Sequence, residues 1–159
     1  ESSTNYGERS DIARYEILNL FGGLYVDVDY EALQPIDPVH ERYDFYIGIQ
    51  PLDVHLVHLG TGLIGAAPGH PLIRAAVGGI AQQSTKQVIS RTGPVYFSRI
   101  FIYTAQNYPH VCAFPASYFY PRAYGESFED RARWQKVESY AVHHWAASWT
   151  LPEAMIGDT

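Results

Sequence analysis

The chain has one cysteine, Cys112, so no intrachain disulfide can form. In its setting, Val111-Cys112-Ala113-Phe114, that cysteine reads as a small buried hydrophobe and suits a reducing compartment. There is one methionine, Met155, so the sequence does not begin at an initiator and is expected to be a fragment of a longer chain. No apolar run approaches the roughly 18 residues needed to cross a bilayer, and no signal peptide is visible. Basic residues are the scarcer charge, 11 against 17 acidic, and the net charge of −6 excludes a nucleic-acid backbone as the natural partner. Internal repeats and low-complexity tracts are absent as well.

What remains is a chain with 47% apolar residues in 159, enough for one globular domain over 1–159. Thirteen tyrosines and three tryptophans are many for this length. Most belong in a core, although ring faces also suit sugar-binding clefts. The local pattern predicts a helix from Ser10 to Phe21, capped by Ser10 and closed by Gly22-Gly23. A short buried strand, Leu24–Val28, follows. Glu31–Arg42 reads as a loop, and strands are expected over Tyr43–Ile49, Val54–Ala66, Val111–Phe114 and Val137–Trp145. Helices are expected over Pro71–Gln83 and from Pro94 to Asn107, with a loop or short helix over Gly125–Gln135. Strands alternating with helices predict an α/β domain with a mixed sheet.

Asp27 and Asp29 stand two apart on the first predicted strand, which places both carboxylates on one face near its carboxyl end. Ligands of open α/β sheets bind at that end. Two adjacent carboxylates repel, and a hard divalent cation such as Mn²⁺ or Mg²⁺ relieves the repulsion while sharing oxygens with a substrate phosphate. An isolated Asp-x-Asp is common, and on its own it reads equally as a solvated turn. Asp11 and Arg14, three apart on the preceding helix, share a face. The Gly22-Gly23 turn brings that helix directly into the Asp-x-Asp strand.

The ordered run Ser10-Asp11-Ile12-Ala13-Arg14-Tyr15, Leu18, then Gly22-Gly23-Leu24-Tyr25-Val26-Asp27-Val28-Asp29 resembles the sugar-binding Asp-x-Asp region of glycosyltransferase family 32. That family includes initiating α-1,6-mannosyltransferases, lactosylceramide α-1,4-galactosyltransferases and enzymes of capsular polysaccharide biosynthesis. Clostridial glucosylating toxins share the signature. Ala67-Pro68-Gly69-His70-Pro71, Thr92-Gly93-Pro94, Phe119-Tyr120-Pro121 and His143-His144-Trp145 with Ser148-Trp149 resemble later family segments.

The resemblance implies a GT-A type, Rossmann-like fold, here lacking the N-terminal strand–helix unit that forms much of the base pocket. It implies retaining transfer of a hexose from a nucleotide-sugar donor to a carbohydrate, lipid-linked or protein acceptor. It implies that Asp11 and Arg14 hold the donor sugar, that Asp27 contacts ribose or sugar and the metal, and that Asp29 binds the metal. His143 is the further candidate ligand, fitting the family's His-x-Trp position better than His144 does. Thr61 stands where family members often carry an asparagine that contacts substrate. Bacterial members imply a cytoplasmic setting and eukaryotic ones the Golgi lumen. A degenerate, non-catalytic carbohydrate- or nucleotide-sugar-binding domain and a metal-dependent hydrolase are the competing readings. A glycosidase needs carboxylates from different elements, about 5–5.5 or 6.5–9.5 Å apart.

Overall fold

The computed structural model describes residue 3 and residues 5–51 and 57–146. Helix α1 runs from Tyr6 to Phe21, one turn earlier than the predicted start. The cap is Asn5, whose Oδ1 accepts from Glu8 N at 3.1 Å, so Ser10 lies inside the helix with its hydroxyl free for the site. Gly22, at φ 63°, closes α1 by donating to the Leu18 carbonyl at 2.9 Å. A Cβ there would sit 2.5 Å from the Pro68 ring, so both the turn and the packing require glycine.

The chain then enters β1 (Gly23–Val26) and turns into β2 (Tyr30–Ala32) and the short α2 (Asp37–His40). These last two occupy the predicted Glu31–Arg42 loop. Strands β3 (Phe45–Ile49) and β4 (Leu59–Ala66) follow, then α3 (Pro71–Gly79) and α4 (Val88–Arg91). Helix α5 (Pro94–Thr104), β5 (Val111–Phe114), α6 (Ala116–Phe119), α7 (Arg131–Trp134) and β6 (Ala141–His143) complete the described part. The predicted helices 71–83 and 94–107 each end in a 3₁₀ turn, over Ile80–Gln82 and Ala105–Asn107. The last strand is three residues rather than nine, because only Ala141–His143 finds a partner, β2. The beginning of the predicted Val54–Ala66 strand lies partly outside the described residues.

The main sheet has the order β1-β4-β3-β5, with β3 and β5 parallel and the other pairs antiparallel. The α/β class with a mixed sheet therefore holds. One face carries α1, α3 and α5 over a core of Tyr15, Leu18, Phe45, Ile47, Ile64, Leu72, Ile73 and Phe97. Tyr15 stacks on Phe97 with centroids 5.5 Å apart, a ring pair that adds about 0.5–1.5 kcal/mol beyond burial. The other face packs Tyr46, Leu63, Phe114, Phe119 and Tyr120 beneath the β2–β6 pair. Cys112 packs at the edge of this second cluster, half-buried rather than buried.

Strand β4 bulges where the site forms. Ile47 pairs with Ile64, but the next residue, Gly48, pairs with Gly60. Residues 61–63 are thereby extra with respect to β3 and remain bonded only toward β1, through Val26–Leu63. Their backbone turns toward the residues that follow β1.

Candidate active site

Asp27 and Asp29 do not lie on one strand face, as their spacing predicted. β1 ends at Val26, and Asp27-Val28-Asp29-Tyr30 forms a turn in which Tyr30 N donates to the Asp27 carbonyl at 3.3 Å. Contact with β4 ends here: Asp27 N still donates to Gly62 O at 2.7 Å, and the chain then turns away. The two carboxylates still converge across this turn, each offering a ligand atom within 4.8 Å of the other.

The third member arrives from the end of the described chain. β6 pairs with β2 so that His143 stands opposite Tyr30, and its ring packs 4.7 Å from the Tyr30 ring. Its Nε2 is 3.1 Å from Asp29 Oδ1. Asp27, Asp29 and His143 each offer a ligand atom, all within 4.8 Å of one another. His144 turns away, exposed and stacked on Phe128 at 4.2 Å. Asp29 is further held by Ala146 N on Oδ2 at 2.9 Å and by His144 N on its carbonyl at 2.8 Å. Ser148-Trp149 lies outside the described residues.

Behind the carboxylates sits a buried charge network on α1. Arg14 Nη2 bonds Asp27 Oδ1 at 3.1 Å, and Nη1 bonds Asp11 Oδ1 at 3.0 Å and the Thr61 carbonyl at 2.8 Å. Asp27 Oδ1 also accepts from Tyr25 OH at 2.8 Å, and Arg14 lies over the Tyr25 ring at 4.7 Å. Oδ1 of Asp27 is thus saturated. Oδ2 lies against Gly62, where a Cβ would approach it to 2.8 Å. Asp11 Oδ2 accepts from Thr92 Oγ1 at 2.9 Å. Thr61 is buried and meets the site through its carbonyl.

These surroundings set the charges. Burial raises the Asp11 pKa to about 6, against the pull of Arg14 and the Thr92 hydroxyl. Burial opposes the Arg14 charge as well, but Asp11 and Asp27 outweigh it and hold the pKa above the ordinary value. Arg14 is therefore a fixed cation. Burial lowers the His143 pKa against the pull of Asp29 and Asp27, which keeps the imidazole neutral and able to donate a lone pair. Its Nδ1 is buried without a hydrogen-bond partner.

Two carboxylates and one neutral imidazole, whose Nδ1 is buried without a partner, fit a divalent ion such as Mn²⁺ or Mg²⁺. Among the described residues no helix is long and apolar enough to cross a membrane.

Ser10, whose hydroxyl meets Tyr25 OH at 3.1 Å and accepts from Arg14 Nη2 at 3.3 Å, the Tyr25 hydroxyl and the backbone of 144–146 also belong to the site, with no role predicted for them from spacing. Tyr25 was within reach, since a tyrosine two residues before Asp27 shares its side of the strand. The backbone donors left no trace in the sequence.

Residues 1–46 match the glycosyltransferase sugar-binding region containing a DXD motif. The chain is 24% identical over 156 residues to inositol phosphoceramide mannosyltransferase 3 of Schizosaccharomyces pombe, covering 87% of this chain and 42% of that protein. It is 28% identical over 100 residues to a mannosyl phosphorylinositol ceramide synthase of Saccharomyces cerevisiae, 59% of this chain and 25% of the relative. Among solved structures, the PaToxG glycosyltransferase superposes with a TM-score of 0.49 at 22% identity, over 65% of this chain and 37% of that one. The chain thus spans less than half the length of the curated relatives it matches. The resemblance read from Ser10–Asp29 falls within the matched residues: this part of the chain is similar to the DXD sugar-binding region of glycosyltransferases.

Proposed function

We propose that this chain, which shares the DXD sugar-binding region in residues 1–46, is one catalytic domain of a retaining glycosyltransferase. It moves a hexose from a nucleotide-diphosphate sugar to a hydroxyl of a carbohydrate, lipid-linked or protein acceptor. The observation that carries the reading is the convergence of Asp27, Asp29 and His143 within 4.8 Å, with Arg14 fixing Asp27 from behind. The two yeast relatives are named for mannosyl transfer and for inositol phosphoceramide, so mannose and an acceptor of that chemistry are the first pair to test.

Asp29, Asp27 and His143 would hold Mn²⁺ or Mg²⁺. A bound ion there supplies Lewis-acid neutralisation of the charge that develops on the departing diphosphate. The protein's own groups do the rest. Arg14 keeps one oxygen of Asp27 occupied and its plane fixed, which leaves the other oxygen for the ligand. Asp11, braced by Arg14 and Thr92, is an ionised acceptor at neutral pH and orients sugar hydroxyls. A carboxylate that is already ordered loses little entropy when it binds.

Isothermal titration with UDP- and GDP-sugars, with and without Mn²⁺, tests the reading. Metal-dependent binding of one donor, abolished by Asp29→Asn, is expected. Donor binding indifferent both to chelator and to Asp29→Asn would refute it.

A further inference from the structure

We propose that Arg122 is a positioning residue for the Asp27–Asp29–His143 site, clamping segment 143–146 around Asp29; the inference rests on the metal-site reading above. Arg122 is 5% exposed. Among the described residues no carboxylate side chain lies within ion-pair distance of it. Its two terminal nitrogens turn instead to backbone carbonyls, while Nε is buried without a partner. Nη2 donates to the His144 carbonyl at 3.0 Å, with the His143 carbonyl at 3.5 Å. Nη1 donates to the Glu126 carbonyl. The charge lies 4.2 Å from the centre of the Phe128 ring.

The same residue grips the segment a second time, from its backbone. Trp145 Nε1 donates to the Arg122 carbonyl at 3.0 Å. Trp145 has φ 59°, a conformation that a bulky residue keeps only where its surroundings enforce it. This backbone turn aims Ala146 N at Asp29 Oδ2, while His144 N holds the Asp29 carbonyl. The indole also packs 4.4 Å from the His143 ring. Asp29 is therefore gripped at three points by residues 143–146, counting His143 Nε2, and Arg122 ties down that segment from the opposite side. Phe119-Tyr120-Pro121 delivers Arg122 to this place, with Tyr120 itself packed 5.7 Å from Trp145.

The test reads Mn²⁺ affinity by electron paramagnetic resonance without donor sugar, beside the urea midpoint. Arg122→Met is expected to weaken Mn²⁺ binding roughly tenfold or more, and Arg122→Lys to recover part of the loss. Trp145→Phe, which keeps a ring and removes the indole donor, should weaken it in the same direction. Tyr96→Phe is the control. It deletes the 2.6 Å bond to the Ala76 carbonyl on the helical side of the sheet, and should lower stability with unchanged Mn²⁺ affinity. A folded Arg122→Met protein with Mn²⁺ affinity within about twofold of wild type overturns the clamp. If Arg122→Met shows no cooperative unfolding, Trp145→Phe decides by the same criterion. A wild-type chain that binds no Mn²⁺ overturns the metal reading and the clamp together, whereas normal wild-type binding with an indifferent Arg122→Met overturns the clamp alone.

Discussion

Replacing Arg14 by methionine tests the charge network directly. The variant keeps most of the side-chain volume and removes the cation shared by Asp11, Asp27 and the Thr61 carbonyl. Asp11 is 6% exposed, so its charge would be left with only the Thr92 hydroxyl. Removing one partner of a buried pair costs about 3–5 kcal/mol, and we expect a loss in that range at pH 7.5.

The pH dependence gives a sharper test. In the wild type the native state already holds the Asp11 proton more tightly than the unfolded chain, with a pKa of about 6 against the usual 3.8. Stability from this group is fully present below the unfolded value and is lost as the pH rises through 6. The loss is about 3 kcal/mol at about 1.4 kcal/mol per tenfold change in proton affinity. Without Arg14 the native pKa climbs further, and the loss extends above pH 6. The deficit of the variant relative to wild type should therefore shrink between pH 7.5 and pH 5, where Asp11 is neutral in both. Adding Asp11→Asn to Arg14→Met should restore about 1–3 kcal/mol at pH 7.5. Urea denaturation at the two pH values measures all three. A deficit below about 1 kcal/mol, or one equal at both pH values, or a double variant weaker than Arg14→Met, would refute the reasoning.

Asp29→Ala should abolish measurable Mn²⁺ binding and lower stability by the loss of its bonds to His143 Nε2 and Ala146 N, while circular dichroism still shows a folded chain, since both apolar clusters are untouched. Gly62→Ala would place a methyl 2.8 Å from Asp27 Oδ2 and 3.0 Å from the Tyr30 ring. It should displace the carboxylate and weaken donor binding roughly tenfold or more while costing about 1–3 kcal/mol of stability; unchanged donor affinity would count against Oδ2 as a ligand. Thr92→Val removes the hydroxyl from Asp11 and should cost about 1–3 kcal/mol at pH 7.5, and less at pH 5, by urea denaturation. A cost that grows at pH 5 would contradict the charge state assigned to Asp11.

Elements whose signals are local were legible from residue order alone. Gly22-Gly23 ended α1, Pro71 and Pro94 opened helices, and Val111–Phe114 was a strand to the residue. Residue order also determined which side chains could do chemistry, because Asp11, Arg14, Asp27 and Asp29 lie within 19 consecutive residues and their order is itself a signature. Boundaries that depend on a partner were not legible. β1 stops at Val26 where the chain turns away from β4, and β6 is as long as the three residues of β2 that it pairs with. That the two aspartates converge through a turn rather than along a strand, and that His143 rather than His144 faces Asp29 across a separation of 114 positions, follows from the packing of distant segments. The same holds for Arg122 and the amides of 144 and 146, whose roles come from backbone direction. Periodicity and propensity act over a few residues, whereas a site is assembled by pairing and packing between segments far apart in the chain, and no local pattern records which surface a distant segment will meet.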